Sequence, residues 1–308
     1  MVAIIIPYFK ITFFEKTLES LALQTDKRFK VYIGDDCSPE NPTKILEIYK
    51  DKLDCTYHRF HDNLGGINLV DQWKRCIELS QNEEWLMLLG DDDFLDTNAI
   101  EEFYNYIIKN KTIEIDLVRF KLKIINHLGS VEENNFEYNS IENSERLLQR
   151  MLAKEETITA SEFIFSRTVY EANGGFINYP LAWFSDYATW LQFGLKSNIH
   201  NIENAAVYWR LSGINISSQF KSVKQIRLKL KSLFLFIHYL DTNFKVNKAI
   251  KEKYILEHMN YLFFEIKFVD IIKLVVPESI KFGCKFGPII TKFMLQRTQK
   301  LILKKISA

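Results

Sequence analysis

The stretch that decides the fold is Glu84-Trp85-Leu86-Met87-Leu88-Leu89-Gly90-Asp91-Asp92-Asp93. Its apolar run, residues 85–89, predicts a strand that is buried on both faces, as in a parallel sheet. The three carboxylates that follow repel one another and resist burial, so they favour a site for a divalent cation or a phosphate. Such sites lie at the carboxyl ends of strands in open α/β sheets. A solvated acidic loop is the alternative interpretation of the same residues.

Outward from this strand, residues 1–109 alternate between apolar strand patterns and amphipathic helix patterns. The predicted strands are 3–6, 31–33, 57–60 and 85–89, and the predicted helices are 12–24, 42–50, 69–77 and 97–109. We expect Pro7 to end the first strand, and Thr12 and Thr97 to cap helices. The βαβαβαβα order predicts a mostly parallel sheet with helices on both faces.

The remainder of the chain changes character twice. Residues 117–125 alternate apolar and basic side chains, which predicts a one-sided, antiparallel strand. Helices are expected at 144–154 and 186–196, strands at 162–166 and 207–210, and long helices at 222–240, 247–268 and 281–306. We therefore expect an α/β domain at 1–219 and a helical region at 220–308.

Composition excludes some classes of protein. The net charge of +1 gives no reason to expect a nucleic-acid partner, and the four cysteines lack the CxxC spacing of a zinc site. We interpret them as reduced thiols of a cytoplasmic protein, since no leader or membrane-spanning run is evident. From Lys281 onward there are seven Lys or Arg and no Asp or Glu. This basic amphipathic stretch favours an anionic membrane surface, although packing on the protein's own core explains it equally well.

Three further features have both a structural and a functional interpretation. Asp36 follows a predicted strand and either caps the next helix or binds a ligand at the edge of the sheet. Gly65 and Gly66 form either a simple turn or a close approach of backbone to a phosphate or base. Asp186 lies beside aromatic residues before a helix, as an N-cap or as a general base with a raised pKa.

Taken in chain order, several segments resemble those of the family 2 glycosyltransferases with the GT-A fold. The segments are Ile4-Ile5-Ile6-Pro7-Tyr8-Phe9, Ser20-Leu21 with Gln24-Thr25, Val31-Tyr32-Ile33-Gly34-Asp35-Asp36-Cys37-Ser38, Asn63 with Gly65, Leu88-Leu89-Gly90-Asp91-Asp92-Asp93, Gly174-Gly175-Phe176, and Asp186. The resemblance covers residues 1–215 and implies a GT-A sheet with flanking helices.

The resemblance also implies an activity: inverting transfer of a sugar from a nucleotide diphosphate, in particular UDP, to a saccharide or lipid-linked acceptor. It places the base and phosphate contacts at Pro7, Phe9, Asp36, Asn63, Gly65, Gly66 and Asp91. Asp92 and Asp93 would hold Mg²⁺ or Mn²⁺, since hard oxygen ligands suit these cations. Asp186 would deprotonate the acceptor hydroxyl.

The chain departs from the family pattern at three points. Gly90 stands where the first carboxylate of the DXD motif is usual, and no A-R-N segment follows the Asn63 turn. The late Y-R-x-H element reads Tyr208-Trp209-Arg210-Leu211-Ser212, so Ser212, Asn215, or diphosphate and water would replace the missing His. These departures leave a nucleotide-sugar binding protein without turnover as an alternative. The pattern of acidic strand ends, taken alone, leaves an Mg²⁺-dependent phospho-acceptor domain as another.

Overall fold

The computed structural model describes residues 1–132, 139–213, 222–264, 266, 268–281 and 286–306 of the 308-residue chain. Contacts divide the chain into two compact units. The first comprises Met1–Asn178 and Ser185–Gln219, and the second comprises Tyr179–Phe184 and Phe220–Ala308.

The first unit contains alternating strands and helices followed by a more irregular half. In chain order these are β1 (Val2–Tyr8), α1 (Phe14–Ala22), β2 (Phe29–Asp35), α2 (Thr43–Tyr49), β3 (Cys55–Arg59), α3 (Leu69–Ile77), β4 (Trp85–Leu88), β5 (Phe94–Leu95), α4 (Ala99–Lys109), β6 (Leu117–Asn126), β7 (Ile141–Glu142), α5 (Ser144–Ala153), β8 (Phe163–Ser166), α6 (Arg167–Ala172), α7 (Ser185–Ser197) and β9 (Ile199–Leu211).

These strands form one sheet in the order β3-β2-β1-β4-β8-β6-β9-β5, with β7 paired to β9. The first four strands are parallel to one another, and β8 joins antiparallel to both β4 and β6. The predicted α/β architecture is confirmed. The acidic ends of β2 and β4 are not on adjacent strands, because β1 lies between them and its carboxyl end separates the two.

The first strand does not end at Pro7, contrary to the prediction. β1 continues to Tyr8, and Pro7 pairs with Gly34 of β2. The carbonyl of Ile5 accepts from Leu89, the residue after β4, whereas that of Tyr8 accepts from Asp36 on the β2 side. Backbone groups alternate sides along a strand, so the nitrogen of Pro7 faces β4, whose pairing has already ended at Ile5. Pro7 therefore lies where the pairing with β4 stops, while its pairing with β2 does not require its nitrogen to donate.

The predicted helix caps are also wrong. α1 begins after Phe13 and α4 after Asn98, and neither has a side-chain cap, so Thr12 and Thr97 do not serve this role. The strand β6 is antiparallel to β8 as expected but parallel to β9, and it is not one-sided. Its Arg119 is fully buried because three carboxylates surround the guanidinium, those of Glu142, Glu156 and Glu162.

The second unit is helical, with α8 (Val223–Asn243), α9 (Lys248–Leu262), α10 (Phe268–Lys281) and α11 (Gly287–Ile306), and it includes a 3₁₀ turn at Pro180–Ala182. The predicted helix 247–268 therefore ends at Leu262, and α10 is an additional helix. Phe184 stacks on Phe236 with ring centroids 4.9 Å apart. Among the described residues, no helix is long and apolar enough to cross a membrane.

Candidate active site

The acidic triplet follows β4 at the carboxyl edge of the sheet, and all three side chains are nearly buried. Gly90 precedes it at a point of close packing. A Cβ at this position would lie 2.7 Å from Oδ2 of Asp93 and 3.3 Å from Oδ1 of Asp92. Any side chain at position 90 would therefore require the carboxylate of Asp93 to move, which is consistent with glycine in place of the usual carboxylate.

Asp91 joins the β4 loop to the end of β1. Its Oδ2 accepts hydrogen bonds from the backbone N–H groups of Phe9 at 2.7 Å and Lys10 at 2.6 Å. Burial raises the pKa of Asp91 to about 6, with a further contribution from Asp92. Asp91 thus fixes the backbone of residues 9 and 10, the segment where Phe9 was predicted to line a base pocket. Its own contact with a nucleotide stays a prediction.

Asp93 holds three parts of the first unit together. Its Oδ2 accepts from the hydroxyl of Ser161 at 2.6 Å, and its Oδ1 accepts from the backbone N–H of Arg210 at 3.0 Å. Its carbonyl accepts from the hydroxyl of Thr17 at 2.7 Å. Burial raises the pKa of Asp93 to about 7, with Asp92 adding to the shift. Both carboxylate oxygens already have protein donors, so metal coordination by Asp93 stays a prediction.

Asp92 differs from its two neighbours. Within the described residues no backbone N–H donates to its carboxylate, and the contacts of Oδ2 are long: 3.4 Å to Nζ of Lys10 and 3.4 Å to Oγ of Ser212. The guanidinium of Arg210 donates to the backbone carbonyl of Asp92 at 3.1 Å. This bond fixes the backbone and does not involve the carboxylate. Asp92 is therefore the member of the triplet whose oxygens are most available to a ligand.

This arrangement fits a metal ion for which the protein supplies only some of the ligands. No group of three or more His, Cys, Asp or Glu in the described part of the chain could hold a cation alone. Mg²⁺ is commonly bound through one or two carboxylates together with substrate phosphates and water. Asp92 with a diphosphate meets that description. Ser212 lies beside the site in place of the missing His, and Asn215 falls outside the described residues.

Asp36, after β2, supports the turn that contains Asn63. Its two oxygens accept from the N–H groups of Leu64 at 2.8 Å and Gly65 at 2.9 Å, and from Arg75 at 2.6 Å. Burial raises the pKa of Asp36, and these donors oppose the shift. Asn63 closes the same turn by accepting from Gly66 at 2.6 Å. A carboxylate offers about four lone-pair sites, so Asp36 can still accept a hydrogen bond from a base.

Asp186 lies in the first turn of α7, and its Oδ1 accepts from the N–H of Tyr187 at 2.9 Å. Burial raises its pKa from 3.8 to about 7. The indole of Trp190 in the same helix donates to the carbonyl of Thr159 at 2.9 Å. Thr159 is two residues from Ser161, which binds Asp93. This short path of contacts ties α7 to the acidic triplet within the first unit.

Three residues at this site were not identified from the sequence as functional: Lys10, Arg75 and Ser161. Lys10 and Ser161 both contact the acidic triplet, and the guanidinium of Arg75 lies 4.0 Å from the ring centroid of Phe60 while binding Asp36. Lys10 could have been found, because it follows the carboxyl end of a predicted strand. Ser161 has no local signal, since it is 68 residues from its partner.

The sheet order and the acidic strand end define an α/β fold of the GT-A class. The family model for glycosyl transferase family 2 matches residues 3–174. This match covers more than half of the chain, and the chain belongs to that family.

Known relatives extend this finding. The chain is 27% identical over 131 residues to the poly(ribitol-phosphate) β-N-acetylglucosaminyltransferase TarS of Staphylococcus aureus strains Mu50 and MW2. That match covers 41% of this chain and 22% of each relative. The crystal structure of S. aureus TarS 1–349 with UDP-GlcNAc superposes with a TM-score of 0.64 at 19% identity, over 95% of this chain and 80% of that one. The complex of the same fragment with UDP gives 0.57, again at 19% identity, over 89% and 80%. These structures establish the likeness of fold.

Proposed function

We propose that this protein is an inverting glycosyltransferase that moves a sugar from a nucleotide-diphosphate donor, in particular a UDP-sugar, to an acceptor hydroxyl in cell-surface glycan synthesis. The observation that carries the proposal is Asp92, whose carboxylate receives no backbone N–H from the described residues, whereas Asp91 and Asp93 on either side do. Membership of family 2 supports the reaction class. The likeness to TarS, crystallised with UDP and UDP-GlcNAc, supports the donor class.

In this reaction the nucleotide would lie along the carboxyl edge of β1, β2 and β4. Asp36 would accept a hydrogen bond from the base, with Pro7 and Phe9, both half-exposed, against its ring. Asn63, Gly65 and Gly66 would place the turn backbone beside the nucleotide. Arg75 supports this arrangement, since it holds Asp36 in place and adds positive charge near the donor.

Asp92 would hold Mg²⁺ or Mn²⁺ together with the diphosphate. The metal supplies neutralisation of the charge that develops on the leaving diphosphate. Asp91 and Asp93 contribute by keeping Asp92 in position, since Oδ2 of Asp91 accepts from two backbone N–H groups and the oxygens of Asp93 accept from Ser161 and Arg210.

Asp186 would take the proton from the acceptor hydroxyl. The freed oxygen attacks the anomeric carbon, the bond from that carbon to the diphosphate breaks, and the nucleoside diphosphate leaves with its electron pair. A direct displacement of this kind inverts the anomeric configuration and needs no second carboxylate as nucleophile. The raised pKa of Asp186 suits the role, because a general base works best with a pKa near the operating pH.

A donor screen followed by a comparison of Asp186→Asn with wild type tests the proposal. Thermal shift against a panel of nucleotide sugars with Mn²⁺ identifies the donor, and product formation then measures turnover. We expect Asp186→Asn to lower turnover by about 10²–10⁴-fold with donor affinity unchanged. Glu145→Gln, an exposed acid in the first turn of α5, is the control and should match wild type. Equal turnover in Asp186→Asn rejects Asp186 as the base, and donor binding without product favours the binding-protein alternative.

The pH dependence of activity is a second test of Asp186 as the general base. We expect kcat/KM to rise with pH and to reach half its maximum near pH 7, because Asp186 must lose its proton to act. The folded protein keeps this proton between pH 3.8 and about 7, whereas the unfolded chain releases it. Stability therefore falls as pH rises through that window. Asp186→Asn should exceed wild type in stability at pH 8, by on the order of 1–2 kcal/mol.

We also propose that the helical unit contacts the inner face of an anionic membrane, where a lipid-linked acceptor would be found. α10 is apolar on two opposite faces. Its residues Ile271, Leu274 and Val275 are buried, whereas Val269, Ile272, Val276 and Ile280 are 40–73% exposed along one stripe. Residues 220–308 carry 18 Lys or Arg against 6 Asp or Glu, a net charge of +12. Exposed apolar area with excess positive charge is what binds the headgroup region of an anionic bilayer.

Flotation with phosphatidylglycerol vesicles tests this contact. Wild type should float with these vesicles and not with neutral phosphatidylcholine vesicles, and Val276→Glu with Ile280→Glu should abolish flotation. The control is Ile113→Glu, a half-exposed isoleucine of the first unit. Unchanged flotation in the double variant rejects the α10 stripe. Dimerisation in place of vesicle binding would assign the stripe to a second copy of the chain.

A further inference from the structure

Lys10 places an ammonium group at the carboxylate of the triplet that is most available to a ligand. Its Nζ lies 3.4 Å from Oδ2 of Asp92, and the two side chains are only 27% and 10% exposed. The position of Lys10 is set from the main chain, because its N–H donates to Asp91 at 2.6 Å. Asp91 therefore fixes the backbone of Lys10, and the ammonium group of Lys10 lies beside Asp92.

The neighbouring carboxylates accept their hydrogen bonds from other donors. Asp91 accepts from two backbone N–H groups, and Asp93 accepts from Ser161 and from the backbone of Arg210. Asp92 and Lys10 together carry no net charge. A divalent cation arriving alone would meet this neutral pair and would be repelled by the ammonium at the oxygen it needs.

We propose that Lys10 is a built-in counter-ion that holds Asp92 in the nucleotide-free protein and is exchanged for the metal only when a nucleoside diphosphate arrives. The diphosphate brings enough negative charge for both the metal and the ammonium. Metal and nucleotide consequently bind together, and Lys10 then pairs with the diphosphate. The exchange on nucleotide binding rests on the proposed function. The pairing of Lys10 with Asp92 in the nucleotide-free protein does not.

Mn²⁺ binding to the nucleotide-free protein tests the inference without any turnover. Free Mn²⁺ is followed by its electron paramagnetic resonance signal during titration of wild type, Lys10→Met and Lys10→Gln. We expect both variants to bind Mn²⁺ at least about tenfold more tightly than wild type, because a like charge beside the ligand oxygen has been removed. Lys10→Arg keeps the charge and should resemble wild type.

Two controls assign the effect to the site. Lys30→Met removes a lysine of similar exposure, 24%, whose Nζ lies 3.7 Å from Asp54, and it should leave Mn²⁺ affinity unchanged. Asp92→Ala added to Lys10→Met should abolish the affinity gained. Equal affinity in wild type and both uncharged variants overturns the inference, as does the absence of measurable binding in those variants.

Repeating the titration with UDP separates this inference from the proposed function. UDP should tighten Mn²⁺ binding to wild type more than to Lys10→Met, because only wild type has an ammonium to release. An equal effect of UDP on both proteins overturns the exchange. If UDP binds neither protein while Lys10→Met still gains Mn²⁺ affinity, the proposed donor is wrong and the counter-ion role of Lys10 stands.

Discussion

The loops after β2 and β4 have the same kind of sequence and different chemistry. Each follows a buried parallel strand with consecutive carboxylates at the same edge of the sheet. After β2 each carboxylate accepts three hydrogen bonds from the protein: Asp35 from Ser38, Tyr57 and Arg59, and Asp36 from Leu64, Gly65 and Arg75. After β4 the outer two also accept from protein donors at short range, whereas the carboxylate of Asp92 has two long side-chain contacts within the part of the chain that the structure describes. Counting carboxylates therefore overestimates the ligands of a site, and the donors that each one already has must be considered.

Within the loop after β4, the largest effect is expected for Asp92→Ala. Its carboxylate contributes little to stability and would be the main protein ligand of the metal. Transfer should fall by about 100- to 1,000-fold, since a metal supplies several kcal/mol to the transition state. The free energy of unfolding should change by less than about 1 kcal/mol, because the contacts of this buried carboxylate with Lys10 and Ser212 are both long. Turnover and chemical denaturation are measured on the same preparation. A large loss of stability would mean that Asp92 supports the fold, as its two neighbours do.

Asp93→Ala should give the opposite result. It leaves the Ser161 hydroxyl and the Arg210 N–H without their acceptor in a buried place, at about 1–3 kcal/mol for each group. We expect a loss of about 2–4 kcal/mol in the free energy of unfolding. Chemical denaturation measures it, with Asp54→Ala, an exposed acid, as the control. Unchanged stability in Asp93→Ala would erase the distinction between the two members of the triplet.

Gly90→Ala should have an intermediate effect. The added Cβ would contact the carboxylates of Asp93 and Asp92, and relief of such overpacking costs about 1–3 kcal/mol. Gly287→Ala is the control, because a Cβ there meets no atom within 4 Å. Thermal unfolding compares the two variants. An equal melting temperature for both would mean that Gly90 is present for some other reason than space.

The smallest effect is expected for Ser161→Ala, which removes one hydroxyl donor from Asp93. A single hydrogen bond to a partly charged group contributes about 1–2 kcal/mol. Stability should fall by that amount and transfer should fall only a few-fold, since Asp92 keeps its own contacts. Thr298→Ala removes an exposed hydroxyl in α11 and provides the baseline. A loss of transfer as large as that of Asp92→Ala would make Ser161 part of the reaction.

Periodicity predicted the parallel half of the sheet, because long apolar runs and amphipathic helices are local signals. The two-residue strand β5 is too short to show a period. The burial of Arg119 depends on carboxylates 23 to 43 residues away. The sequence pattern indicated which acidic segments form the site. It could not predict which carboxylate is available to a ligand and which are bound by the protein. That difference depends on donors such as Ser161 and the N–H of Arg210, which only the folded chain brings to Asp93.

Pro7 has a consequence for the polarity of this edge of the sheet. The pairing of β1 with β4 ends at Ile5, and an ordinary residue at position 7 would place one more N–H on the β4 side. That donor would need an acceptor from the protein, water or a ligand. With proline there, the β4 side of residue 7 carries no donor, so an aromatic ring can lie against it without leaving an N–H unsatisfied.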